Sequence, residues 1–180
     1  AAARYFAALP AASFTRVVEQ STIPKAKIAA WLFRFDRTGA QEPLAQLIIE
    51  GPDDFEQFEI RDPATTYTAY VPKGSLMRGR NMVRTGGATV VGGKTTPGKS
   101  TECTKCHGVD LRGMPAKADG TPVAPSLVGR SANYTFRQLY DMQRGTRNGA
   151  NIASTMRPVV AQLTEGDMID IAAYLASRMP

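Results

Sequence analysis

The chain has 180 residues, 43% of them hydrophobic and 21% charged, a size that accommodates one well-cored domain with an appendage or two small domains. No apolar run approaches the roughly 20 residues that cross a bilayer, and Arg4 and Pro10 interrupt the start where a signal peptide would be apolar, so the sequence reads as a mature, soluble chain or a fragment of one. The net charge of +6 is uneven, with seven Lys/Arg against nine Asp/Glu in residues 1–72 and fifteen against seven in residues 73–180; the basic residues are scattered without a recognition motif, which argues against nucleic acid and leaves an anionic membrane, an acidic protein partner or a basic surface with no partner.

The first segment, "ARYFAALP" at residues 3–10, echoes "AAYLASRMP" at residues 172–180: both run through alanine, an aromatic and an apolar residue, and close on proline. Residues 11–72 contain no cofactor motif. Their β-branched runs, broken by Pro and Asp-Pro, predict extended segments with short strands, and Trp31, Phe33 and Phe35 read as core contacts. Residues 86–101, "GGATVVGGKTTPGKST", read as a glycine-rich loop.

Next comes "CTKCHG", Cys103–Gly108, which contains both cysteines and the single histidine of the chain. Two thiols separated by two residues, followed directly by an imidazole, form the spacing in which thioethers attach a porphyrin and the histidine reaches its iron. A structural zinc site needs four ligands, and the chain has no further Cys or His to complete one. A thioredoxin-like dithiol belongs after a strand in a βαβ unit, whereas this motif follows a glycine-rich stretch. A Cys103–Cys106 disulfide would leave His107 unexplained. Covalent haem c, one per chain, is the reading that uses all three residues.

With His107 on one face, no second histidine exists for the other, which leaves a methionine, a lysine or an open position. In "LTEGDMIDIAAYLASRMP", Met168, Ile171, Ala172 and Leu175 share one helical face, and Thr164 with Asp167 predicts a capping box with the helix starting near Glu165; Met168 is therefore core and Met179 terminal. A helix is expected over Thr135–Arg144, stopped by Gly145, with Phe136, Leu139 and Tyr140 inward and Met142 off that face. Met114 is only seven residues after His107, a reach that favours the same side of the ring. Met156 stands in "RNGANIASTMRPVV", where glycine, asparagine and Pro158 predict a loop with no continuous helix, free to lie across the distal side of a haem. Met156 is the expected sixth ligand.

The ordered pieces "CTKCHG", "APSLVGR", "FRQLYDMQRGTRNG" and "MRPVVAQLTEGDMIDIAAYLA" resemble the class I c-type cytochromes, in particular the C-terminal haem domain of bacterial periplasmic tandem, diheme-type cytochromes. The resemblance covers residues 73–180 and implies a mainly α, helical haem domain there, preceded by an irregular or extended N-terminal segment. It implies that the carbonyl of Pro125 accepts the Nδ1 proton of His107, that Leu127 packs beside the cofactor, and that a first helix crosses the last through Gly79 against Tyr174. The long 86–101 stretch departs from the family, in which the first helix runs almost directly into the Cys-His motif. By the same resemblance, residues 1–10 are the closing helix of an upstream haem domain and residues 11–72 a linker or docking segment.

These readings together predict a periplasmic electron carrier rather than an enzyme, since haem c is attached outside the cytoplasmic membrane. Its partners would be redox proteins with an acidic docking face, with an upstream haem domain or complex subunits beside it. Two other readings stand: a haem subunit of a dehydrogenase or oxidase complex, or a haem with an open sixth position that binds or converts a small ligand.

Overall fold

The computed structural model describes residues 2–10, 12–29, 32–115, 118, 123–149 and 152–180; Trp31 and the side chains of Phe6 and Ala7 lie outside the described residues. After a short helix α1 (Ala2–Ala7), the first part of the chain is built from strands: β1 (Thr15–Glu19), β2 (Thr22–Pro24), β3 (Ala26–Ala29), β4 (Leu32–Phe35), β5 (Gln41–Pro43), β6 (Ile49–Pro52) and β7 (Tyr67–Val71), with helix α2 (Phe55–Glu59) before β7. β7 is central in a three-stranded sheet, parallel to β1 and antiparallel to β6, while β2–β5 and β3–β4 form separate antiparallel pairs. Thr68, Ala69 and Val71 are buried because this central strand is covered on both faces.

The sheet is fastened to the helical part by two carboxylates. Helix α3 (Ser75–Thr85) starts at Gly74, which has no side chain to cap it, and Glu19 of β1 accepts the Leu76 amide at 2.7 Å instead. Glu50 of β6, 7% exposed, accepts the Ser131 hydroxyl at 2.8 Å and the Asn133 amide at 3.1 Å at the start of helix α5 (Ala132–Arg144). Between these anchors Ala69, Ala132 and Ala176 meet, which lets sheet and helices approach closely.

The helical part adds α4 (Cys103–His107), α6 (Ile152–Val160) and α7 (Glu165–Ala176). α3 crosses α7 at Gly79: a Cβ built there would lie 2.6 Å from the Asp170 carbonyl carbon and 2.8 Å from the Tyr174 Cβ. Arg78 clasps Asp170 at the same crossing with two bonds of 2.7 and 2.9 Å. Met82, Val83, Leu111, Val128, Val160, Leu163, Met168, Ile171, Tyr174 and Leu175 form the main core.

Three expectations are corrected. The chain is of mixed α/β content rather than mainly α, because nine described strands precede or interrupt the helices, which dominate only after residue 73. The 86–101 stretch is no irregular loop: β8 (Thr89–Val91) and β9 (Lys94–Thr96) pair as a hairpin through Gly92 and Gly93, both with positive φ. Met156 lies within helix α6 and not in an extended loop. Pro158 falls late in this nine-residue helix, where its missing N–H breaks only one internal bond, and Ile152, Met156, Val159 and Val160 share a face whose burial offsets that loss.

Candidate metal centre

α4 carries the whole Cys-His motif in little more than one turn. It starts at Glu102, which makes no side-chain cap, and Gly108 ends it with φ +85°. A single turn has little stability of its own, so packing holds it: Cys103 is half-buried against the main core and His107 is 6% exposed, whereas Cys106 is exposed. Both thiols are free. Loss of hydration, with a smaller repulsion from Cys106, pushes the Cys103 thiol up to about 11. A thiol this weakly acidic is unlike the low-pKa nucleophile of dithiol exchange.

His107 Nδ1 lies 2.8 Å from the carbonyl oxygen of Pro125. A carbonyl can only accept, so Nδ1 holds the ring proton and Nε2 presents its lone pair. The 108–114 turn creates this contact. Leu111, buried to 1% despite φ +64°, accepts the Leu127 amide at 2.9 Å, and Met114 and Ala124 exchange bonds of 2.9 and 3.0 Å. Gly113, at φ +91°, makes the approach possible: a Cβ there would lie 2.6 Å from the Ala124 carbonyl oxygen and 2.9 Å from the Pro125 carbonyl carbon. The role of Gly113 was not read from the sequence, although a glycine six residues after the histidine is the available signal.

Leu127, half-buried, and Met156 of α6 pack on the same apolar cluster that Cys103 touches. Phe136, Leu139 and Tyr140 of α5 do so as well, and Met142, expected off their face, joins them partly buried. Met168 is fully buried core, Met82 is 7% exposed, and Met77 and Met179 are exposed. α7 begins with the expected capping box between Thr164 and Asp167, and α5 ends on Gly145 in the left-handed region.

The donor set suits a covalently held haem: two free thiols at the Cys-x-x-Cys spacing, an imidazole with its Nε2 uncommitted, a thioether, and an apolar cluster against which Cys103, Leu127 and Met156 all pack. Among the described residues no group of three or more His, Cys, Asp or Glu gathers as a metal cluster.

Comparison with known proteins agrees with this chemistry. Residues 92–178 match the family Cytochrome c. Cytochrome c-554(548) of Halomonas halodenitrificans is 37% identical over 76 residues, which are 42% of this chain and 83% of that protein. Cytochrome c4 of Azotobacter vinelandii is 29% identical over 143 residues, 77% of this chain and 64% of that protein. The thiosulfate dehydrogenase electron acceptor of Stutzerimonas stutzeri is 36% identical over 73 residues, 41% of this chain and 30% of that protein. The chain thus spans most of the first relative and a smaller share of the other two. With the Cys-His helix and its proline-held histidine inside the matched residues 92–178, and a relative 37% identical that is covered to 83% of its length, the chain belongs to the cytochrome c family of electron-transport haem proteins.

Proposed function

We propose that this chain is a periplasmic electron carrier that holds one covalently attached haem c between His107 and Met156. The observation that carries the reading is the 2.8 Å contact between His107 Nδ1 and the Pro125 carbonyl. It fixes the ring tautomer, raises the basicity of Nε2 and prepares His107 as a ligand. When bound, the haem supplies a reversible one-electron change at its iron. Cys103 and Cys106 supply the thioether sulfurs that anchor it. Leu127 and the core cluster keep water away from its buried face, and an apolar surround with sulfur ligation favours the less charged, reduced form. The chain's own part is to hold its ligands in place, and no acid or base for bond-breaking chemistry is assigned to it.

Residues 73–180 carry fifteen Lys/Arg against seven Asp/Glu, which suits a redox partner with an acidic docking face. The match to cytochrome c4 and the echo between residues 3–10 and 172–180 support reading residues 1–10 as the end of an upstream haem domain. Residues 12–72, tied to the helices through Glu19 and Glu50, extend the surface offered to a partner. A second reading, a haem subunit of a larger oxidoreductase complex, is favoured by the likeness to the thiosulfate dehydrogenase electron acceptor.

Absorption spectra of the ferric and ferrous holoprotein, with and without carbon monoxide, test the site. A sulfur–iron charge-transfer band at the red end of the ferric spectrum, lost in Met156→Ala but kept in Met114→Leu, is expected, with no response of the parent protein to carbon monoxide. Immediate carbon monoxide binding by the unaltered protein would instead establish an open sixth position.

A further inference from the structure

We infer that Gln143 and Ser100 are positioning residues for the Met156 thioether; the inference rests on the reading of Met156 as the sixth ligand. Helix α6 ends in carbonyls that its own ladder leaves open, and the turn that follows meets them only in part, with the Leu163 amide donating to the Val160 carbonyl at 3.1 Å. The Gln143 side chain, reaching over from α5, donates its amide Nε2 to the carbonyls of Val160 and Leu163, each at 2.7 Å. One amide nitrogen has two hydrogens, so both are committed to the α6–α7 turn. From the other direction Ser100 donates its hydroxyl to the Val159 carbonyl at 2.8 Å. Ser100 sits three residues before Cys103, and its own amide bonds the Gly86 carbonyl at 3.1 Å.

The end of α6 is therefore clamped between α5 and the segment that leads into the Cys-His helix. Val159 and Val160 are three and four residues beyond Met156, one helical turn, so fixing their carbonyls fixes where Met156 stands along the helix axis. Pro158, inside the same turn, removes a backbone donor and leaves α6 weaker on its own. The external bonds supply the registration that the internal ladder lacks. Loosening them gives α6 more states in which the sulfur is away from the iron, and any competitor for the sixth position gains by that population.

The test is titration of the ferric holoprotein with imidazole, read as loss of the sulfur–iron band. Gln143→Leu removes two donors and is expected to bring half-displacement at about tenfold lower imidazole, and Ser100→Ala, removing one, at about threefold lower. Gln143→Asn keeps the amide on a shorter arm and should fall in the same direction by less, which serves if the leucine variant fails to take up haem. Ser177→Ala removes an equivalent bond, hydroxyl to the Tyr174 carbonyl at 2.7 Å, at the end of α7, and should leave the titration unchanged. If Gln143→Leu and Gln143→Asn lower the thermal midpoint yet titrate like the parent, the two residues are structural only and the inference is overturned. If Met156→Ala keeps the band, the ligand assignment itself is wrong; that result is separate from any behaviour of the Gln143 variants.

Discussion

The backbone amide of Ser100 meets the carbonyl of Gly86 at 3.1 Å, so the end of α3 and the approach to the Cys-His helix are neighbours although residues 87–99 intervene. The insertion leaves and returns at one point. Its six strand residues are all exposed, with Val90 and Val91 at 68% and 77%, and Lys99 at its base pairs with Asp167 at 2.6 Å.

Joining Gly87 directly to Gly98, with residues 88–97 removed, should accordingly leave the centre intact. Shortening a flexible closure changes its entropy by only about 0.6 kcal/mol per twofold change in length, so the thermal midpoint should move by no more than about 4 °C. Ferric and ferrous spectra should match those of the parent. A shortened protein that cannot attach haem would show that the hairpin shapes the site.

Gly79→Ala sets two effects against each other. Alanine in an exposed helix gains about 1 kcal/mol over glycine, but here the added methyl would overlap the backbone of Asp170, and overpacking costs about 1–3 kcal/mol. The clash involves backbone and cannot rotate away, so the loss prevails. Denaturant unfolding should show a lower midpoint at unchanged slope; an equal or higher midpoint would remove the α3–α7 crossing as a point of tight contact.

Glu50→Ala takes the acceptor from the Ser131 hydroxyl and the Asn133 amide at the start of α5. Leaving such groups without a partner costs about 1–3 kcal/mol, and Glu50→Gln, which keeps one acceptor oxygen, should lose less. Because the bond joins the sheet to the helical part, helix circular dichroism and the protection of residues 12–72 from protease should be lost at the same denaturant concentration in the parent protein. Two separated transitions would mean that residues 12–72 unfold on their own.

Legibility followed the range of the interactions. The Thr164–Asp167 box, the Gly145 stop and the Cys-His spacing are local and were readable. "TVVGGKTT" also carried a readable hairpin signature, two β-branched runs around two glycines, but it was masked by the glycine content of its surroundings. For α6, Gly149, Asn151 and Pro158 as breakers outweighed the Ile152, Met156, Val159, Val160 period, and the bonds from Gln143 and Ser100 that steady its end come from elements far away in sequence. Glu50 and Glu19 read as surface charges on extended segments, since their partners at Ser131 and Leu76 lie in helices of the other part.

The α7 capping box gives a pH dependence whose sign follows from its bonds. Burial raises the Asp167 carboxyl, but the bond from Lys99 at 2.6 Å and those from the Thr164 hydroxyl and amide at 2.6 and 2.8 Å outweigh it, and the group ends below the usual carboxylate range. A carboxylate lowered on folding contributes stability that is present above its unfolded value, near 4, and is lost as pH falls through the lower folded value. Urea unfolding of the holoprotein at a series of pH values should therefore show the midpoint falling in acid below about 4. In Asp167→Asn that portion of the slope should disappear, and in Lys99→Met it should shrink, because the largest favourable bond is removed while the Thr164 bonds remain. An Asp167→Asn protein with an acid slope equal to the parent's would place the titration elsewhere and leave the capping box without electrostatic weight.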